Sequence, residues 1–243
     1  MNIRMEHDTM GEIAVPAEHH WGAQTQRSLQ HFNIGGQRQP REIITAFAYL
    51  KEACARANAH CGKLTEEQAD AIAAVCGEIR AGKWDEEFPL VVWQTGSGTQ
   101  TNMNVNEVIA HLAAERGVAL HPNDQVNASQ SSNDTYPSAL HIAAVLSVTE
   151  QVLPAARALA EAFRKLEDGY PDLIRIGRTH LQDATPLKFA QEVSGWRELV
   201  AAPCRMLRLA LPELERPSAA PPWAPASTPP RAMTRWCAGS SPP

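Results

Sequence analysis

Residues 137–167 read P-S-A-L-H-I-A-A-V-L-S-V-T-E-Q-V-L-P-A-A-R-A-L-A-E-A-F-R-K-L-E, and this stretch decides the fold. Leu140, Ala144, Val148, Val152, Leu159, Phe163 and Leu166 recur near the 3.6-residue period of an α-helix and make one apolar seam. The pattern predicts one long helix from Pro137 to Glu167, with Ser132, Asn133 and Asp134 on offer as N-caps. Pro154 is placed to kink or divide it. The same period extends to both sides. Ile43, Phe47, Leu50 and Cys54 mark a helix from Ile43 to His60, with Lys51 and Arg56 on its other face. Thr65 and Gln68 form a capping box that opens a helix over Glu66 to Ala81, and Gly82 ends it. A helix from Asn102 to Arg116 closes at Gly117. Another starts at Gln182, takes Pro186 into its first turns and carries Phe189, Val193, Trp196 and Val200. Short extended pieces are expected only near Ile13 to Val15 and Ile174 to Ile176. No internal repeat appears, and the sum is an all-α helical bundle.

Composition excludes several function classes. The 243 residues are 44% apolar and 20% charged, enough for a substantial core. With 22 Lys and Arg against 27 Asp and Glu, the net charge is −5, so no basic excess exists to bind nucleic acid. No run approaches twenty consecutive apolar residues and the N-terminus has no apolar signal core, which predicts no membrane span and a cytoplasmic location. Five cysteines without a C-x-x-C pair make neither a disulfide framework nor a zinc site. Cys54, Cys61 and Cys76 read as small core residues in a reducing compartment.

Four junctions between the helices are too polar to be explained by stability. Trp93 to Asn102 reads W-Q-T-G-S-G-T-Q-T-N, with Asn104 and Asn106 following. Gly96 and Gly98 permit a tight turn, and Ser97, Thr99 and Thr101 add hydroxyls where a helix start already favours an anion. An ordinary Gly-rich loop with an N-cap has the same look. No G-K-[ST] follows, so the segment is not a P-loop. His121-Pro122-Asn123-Asp124 is plain turn chemistry when taken alone. Ser129-Gln130-Ser131-Ser132-Asn133-Asp134 exceeds what capping a helix requires, and could offer several neutral donors to a carboxylate. Gly177 to Pro186 reads G-R-T-H-L-Q-D-A-T-P and sets His180 among hydroxyl, amide and charged groups, where it could exchange a proton with water. Neither a nucleophile elbow nor H-E-x-x-H accompanies it, so acyl transfer and zinc hydrolysis lack support. The residues alone point to a site for a small polyanion with a histidine moving a proton.

Together these segments resemble the fumarase/aspartase superfamily, and within it class II fumarate hydratase. The resemblance rests on W-G-A-Q-T-Q-R-S at Trp21 to Ser28, T-G-S-G-T-Q-T-N-M-N-V-N-E-V at Thr95 to Val108, H-P-N-D, S-Q-S-S-N-D and G-R-T-H-L-Q-D-A-T-P, in family order from about Met10 to Leu214. Aspartate ammonia-lyases look similar, but they typically carry G-A-G-T-S, S-T-N-D and a Gln in place of His180. The resemblance implies reversible hydration of fumarate to L-malate in the tricarboxylic acid cycle, with no metal or organic cofactor. It implies that Ser97, Gly98, Thr99, Ser131, Ser132, Asn133 and Thr179 bind the dicarboxylate and that His180 is the acid/base. His121, Pro122, Asn123 and Asp124 match a second dicarboxylate site. The implied architecture is an N-terminal helical domain over residues 1–135 and a partial central bundle over 136–215, in a homotetramer whose active sites each use three chains.

The chain departs from the family in two ways. The later G-S-S-x-M-P-x-K-x-N loop is absent, and so is the acidic partner expected to orient the histidine. From Arg216 to Pro243 there are 8 prolines in 28 residues and no Asp, Glu or Lys, a composition that reads as a disordered tail. Shifted by one nucleotide, codons for Ala219 to Pro230 permit G-G-T-A-V-G-T-G-L-N-A-P, the family's next motif, so we infer a reading frame lost near Glu215. The expectation is a family chain inactive by itself. The alternatives are an ammonia-lyase-like enzyme and a non-catalytic fragment that binds dicarboxylates or assembles with full-length homologues.

Overall fold

The computed structural model describes residues 2–215, so the expected disordered tail lies outside the described residues. Helices carry the fold, and two two-stranded hairpins are the only sheets among the described residues. The chain divides into two compact units, residues 1–143 and 144–215, with the boundary inside one helix.

The first unit opens with β1 (Ile3–Asp8) and β2 (Gly11–Pro16), paired antiparallel from Ile3↔Pro16 to Asp8↔Gly11. Alternation buries Ile13 and Val15 of β2 while β1 stays more open. Helices α1 (Ala23–His31), α2 (Arg41–His60), α3 (Glu66–Arg80) and α4 (Thr99–Ala114) follow. The capping box at Thr65 forms as expected: Thr65 Oγ1 accepts from the Gln68 amide while Gln68 Oε1 accepts from the Thr65 amide, both at 3.1 Å. The core gathers Phe47 of α2, Ile72, Val75 and Ile79 of α3, and Val105, Val108, Ile109 and Leu112 of α4. Phe47 is fully buried, so truncating it to alanine should cost about 3–5 kcal/mol. α4 is buried on its polar side as well as its apolar one, which explains the poor helix formers in it. Asn104 Nδ2 donates to the Glu87 carbonyl at 3.0 Å, so this asparagine is structural. Past α4 come a π-turn at Pro122–Val126 and α5 (Ser132–Ser147).

α5 passes through a π-turn at Val148–Val152 into α6 (Leu153–Gly169) without a break, so Pro154 sits in a first turn and does not divide the run. By length and composition alone the 38-residue run Ser132–Gly169 could cross a membrane. The helix starts five residues before the expected Pro137, which places Ser132, Asn133 and Asp134 in its first turn. The second unit continues with β3 (Ile174–Thr179), β4 (Gln182–Lys188) and α7 (Phe189–Leu214). Gln182–Lys188 is therefore a strand and not the start of a helix. Pro186 pairs with Ile176 in a two-stranded hairpin, where an edge position tolerates the missing N–H.

Two further corrections concern single residues. Lys51 does not lie on the solvent face of α2 but is fully buried. Cys54 and Cys76 are buried as expected, whereas Cys61 caps α2 and is exposed. The apolar seam of α5 and α6 is present, but Leu140, Val152, Leu159 and Leu166 are 39–47% exposed. α7 likewise exposes Trp196, Leu199, Met206 and Leu209 along one stripe. Only Leu153, Val193 and Cys204 are buried apolar residues in the second unit, a thin core.

Candidate active site

Two of the four polar junctions meet in the first unit. The first makes the N-terminus of α4. Gly98 has φ +69° as its N-cap, a conformation that strains any residue with a Cβ, and it contributes no capping side chain. A Cβ there would stand 2.2 Å from the Tyr136 ring, so only glycine lets the first turn of α5 approach. Ser97 Oγ and Thr99 Oγ1 lie 2.9 Å apart, one donating to the other. The third junction makes the N-terminus of α5: Ser131 accepts from the Thr135 amide through its carbonyl, at 2.9 Å, and from the Asn133 amide through Oγ, at 3.3 Å. Ser131 thus acts as the N-cap.

Buried polar side chains clamp the two helix starts together. Asn102 Nδ2 donates to Ser132 Oγ at 3.3 Å, and Thr135 Oγ1 donates to Asn102 Oδ1 at 3.2 Å. Ser97, Gly98 and Thr99 therefore come together with Ser131, Ser132 and Asn133. Each helix N-terminus carries roughly half a positive charge, so the junction favours an anion without a permanent counter-ion. Hydroxyls and amides supply the remaining donors.

Beneath the junction sits Lys51, which was expected on the face of α2 opposite the apolar one. Lys51 Nζ donates to Asn127 Oδ1 at 3.0 Å and to Gln130 Oε1 at 2.9 Å. Burial pushes its pKa down to about 7. Helical spacing could have found it, because Lys51 falls four residues after Phe47 and three before Cys54, on the apolar stripe.

The His121–Asp124 turn lies elsewhere in this unit. His121, Pro122 and Asn123 line a cavity of about 540 Å³ together with Glu6, Asp8, Glu107 and His111. His121 Nδ1 is 3.2 Å from Asp124 Oδ2. No arginine or lysine lines the cavity. Its carboxylates are already engaged: Arg27 pairs with Asp8 through two contacts of 2.9 Å and holds its carboxyl below the usual range. Glu107 of α4 caps α1, accepting from the amides of Gly22 at 3.0 Å, Gln24 at 2.8 Å and Thr25 at 3.1 Å, and from Thr25 Oγ1 at 2.6 Å. Burial pushes its pKa up while these donors pull it down. No local sequence pattern marks this glutamate as a cap, since its partners lie more than 80 residues away.

His180 and Thr179 belong to the second unit. The turn between β3 and β4 has Thr179 paired with Gln182 and two residues at its tip, His180 at φ +50° and Leu181 at φ +61°. Two-residue hairpin turns of this kind prefer Asn-Gly, so His-Leu is a strained choice, of order 1–2 kcal/mol per residue. The tip is exposed, Leu181 at 97%. Gly177 makes the register shift between Ile176 and Arg178 possible, because a Cβ there would meet the Thr185 carbonyl at 2.7 Å. Both tip residues hold this left-handed backbone in an exposed turn.

The profile of one known family, the lyase family, matches residues 11–220. The chain belongs to the lyase family. Two curated relatives of this lyase-family chain are class II fumarate hydratases. That of Bacillus anthracis is 55% identical over 213 residues, covering 85% of this chain and 46% of the relative. That of Bacillus subtilis is 54% identical over 202 residues, covering 81% and 44%. The chain therefore spans less than half the length of these relatives. Among solved structures, the class II fumarase from Schistosoma mansoni superposes with a TM-score of 0.91 at 36% identity, covering 97% of this lyase chain and 51% of that one.

Proposed function

We propose that this lyase chain carries the fumarate-binding surface and the acid/base histidine of a class II fumarate hydratase, which adds water reversibly to fumarate to give L-malate. The observation that carries the proposal is the meeting of Ser97–Thr99 with Ser131–Asn133 at two clamped helix N-termini. A dicarboxylate set there gains two helix dipoles and a cluster of neutral donors. As the C3 proton leaves L-malate, charge builds on one carboxylate, and these preorganised donors stabilise that aci-carboxylate more than they do the ground state. His180, with Thr179 beside it, takes up or returns the proton of the water. The His121–Asp124 turn is a second dicarboxylate site in this proposal.

The proposed assembly is a cytoplasmic homotetramer, with residues 1–135 as the N-terminal domain and 136–215 in a shared bundle. The exposed stripes of α6 and α7 support this, since contiguous apolar surface of this kind marks an interaction face. The test is a chimera joining residues 1–214 to the complementary part of the Bacillus subtilis relative. It should hydrate fumarate and leave aspartate untouched, and His180→Asn should lower turnover about a hundred- to ten-thousandfold with little change in affinity. Activity on aspartate alone, or full turnover in the histidine variant, would overturn the assignment.

A further inference from the structure

We infer that Lys51 is a positioning residue for the dicarboxylate site, holding the turn over Val126–Gln130 in the shape that presents Ser131, Ser132 and Asn133. The inference rests on the proposed binding role of those three residues and adds the group that sets them.

Lys51 Nζ draws two side-chain oxygens to one buried point, Asn127 Oδ1 and Gln130 Oε1. Fixing the oxygens fixes where the amide nitrogens aim. Asn127 Nδ2 donates to the Gln130 carbonyl at 3.2 Å, and Gln130 Nε2 donates to the carbonyls of Val126 at 3.0 Å and Ala128 at 3.2 Å. The amides therefore tie the turn to itself across the strained Ser129, which has φ +58°. From Asn127 the network runs on to the site: Asn102 Nδ2 lies 3.1 Å from Asn127 Oδ1 and 3.3 Å from Ser132 Oγ.

The choice of lysine has a physical reason. Both partners of Nζ are acceptors, and an amine keeps two N–H donors whether charged or neutral, so the contacts survive loss of the proton. A buried lysine without a carboxylate partner is costly, and its lowered pKa reports that cost. An apolar side chain would pack more cheaply but would leave Gln130 Oε1 unpaired, Asn127 Oδ1 held by Asn102 alone, and the turn unpinned.

Amide hydrogen exchange of the 243-residue chain, read by peptide mass spectrometry, tests the inference alongside calorimetric titration with fumarate. In Lys51→Met, exchange should rise at least tenfold over residues 127–133 while peptides of α3 stay within twofold of the parent, and fumarate affinity should fall at least tenfold. If that variant does not fold, Gln130→Met breaks the same link from the turn side and should give the same local rise. Unchanged exchange over 127–133, or a rise spread evenly through α2 and α3, would show that Lys51 is only a core residue and overturn the inference. A parent chain that binds no fumarate would count against the proposed function, while the exchange pattern would still decide the role of Lys51.

Discussion

Removing the Glu107 carboxylate should unfasten α1 from the first unit. Gly22, Gln24 and Thr25 form the N-terminal turn of that helix, and no side chain caps it locally. Glu107 serves as the cap from 83 residues away in sequence. In Glu107→Ala three buried donors, the amides of Gly22 and Thr25 and the Thr25 hydroxyl, lose their acceptor. An orphaned buried donor costs about 1–3 kcal/mol. Water can enter from the adjoining cavity, which Glu107 lines, so the lower end applies and the total loss is about 3 kcal/mol. Thermal unfolding followed by circular dichroism should then show a midpoint lowered by about 6–12 °C. Glu107→Gln should fall between parent and alanine variant, because its one oxygen can occupy the Oε2 position that takes three of the four bonds. The opposing force is the desolvation of the carboxylate, which pushes its pKa up. An alanine variant within about 0.5 kcal/mol of the parent would mean that desolvation cancels the hydrogen bonds, and the capping argument would fail.

Stability should rise with pH between 7 and 9. Lys51 has a folded pKa of about 7 against an ordinary 10.5, so over that window the unfolded chain binds more protons. The linkage gives a gain of about 2 kcal/mol in urea unfolding, which Lys51→Met should abolish. Above pH 9 the trend should weaken, because burial pushes the Cys76 thiol up to about 12 and the folded chain then holds that proton longer than the unfolded one. Gly98→Ala should cost at least 1–2 kcal/mol through its left-handed backbone and should weaken fumarate binding by displacing Tyr136, as calorimetry would show. The exposed stripe of α7 should make the chain self-associate and bind ANS, and Leu199→Glu with Leu209→Glu should reduce both signals in size-exclusion and fluorescence measurements.

Much of the fold follows from local rules that the sequence states openly. Periodicity marks α2, α3, α4 and the long α5–α6 run, and the Thr65–Gln68 box sets the start of α3 within a residue, because capping and helical spacing act over four residues or fewer. The polar junctions by themselves point to a small polyanion and a proton-moving histidine, and only the family resemblance narrows that to a dicarboxylate. Other features were decided only in three dimensions. Gln182–Lys188 is a strand because Ile174–Thr179 is there to pair with it, and seven residues including a proline carry too little periodic pattern to choose alone. Glu107 became a helix cap, and Asn102 a clamp on Ser132, through partners tens of residues away that no local pattern names. Lys51 stands between the two cases. Its spacing places it on the buried stripe, while its charge argues for solvent, and the conflict is settled by two amide oxygens that the tertiary fold delivers from residues 127 and 130.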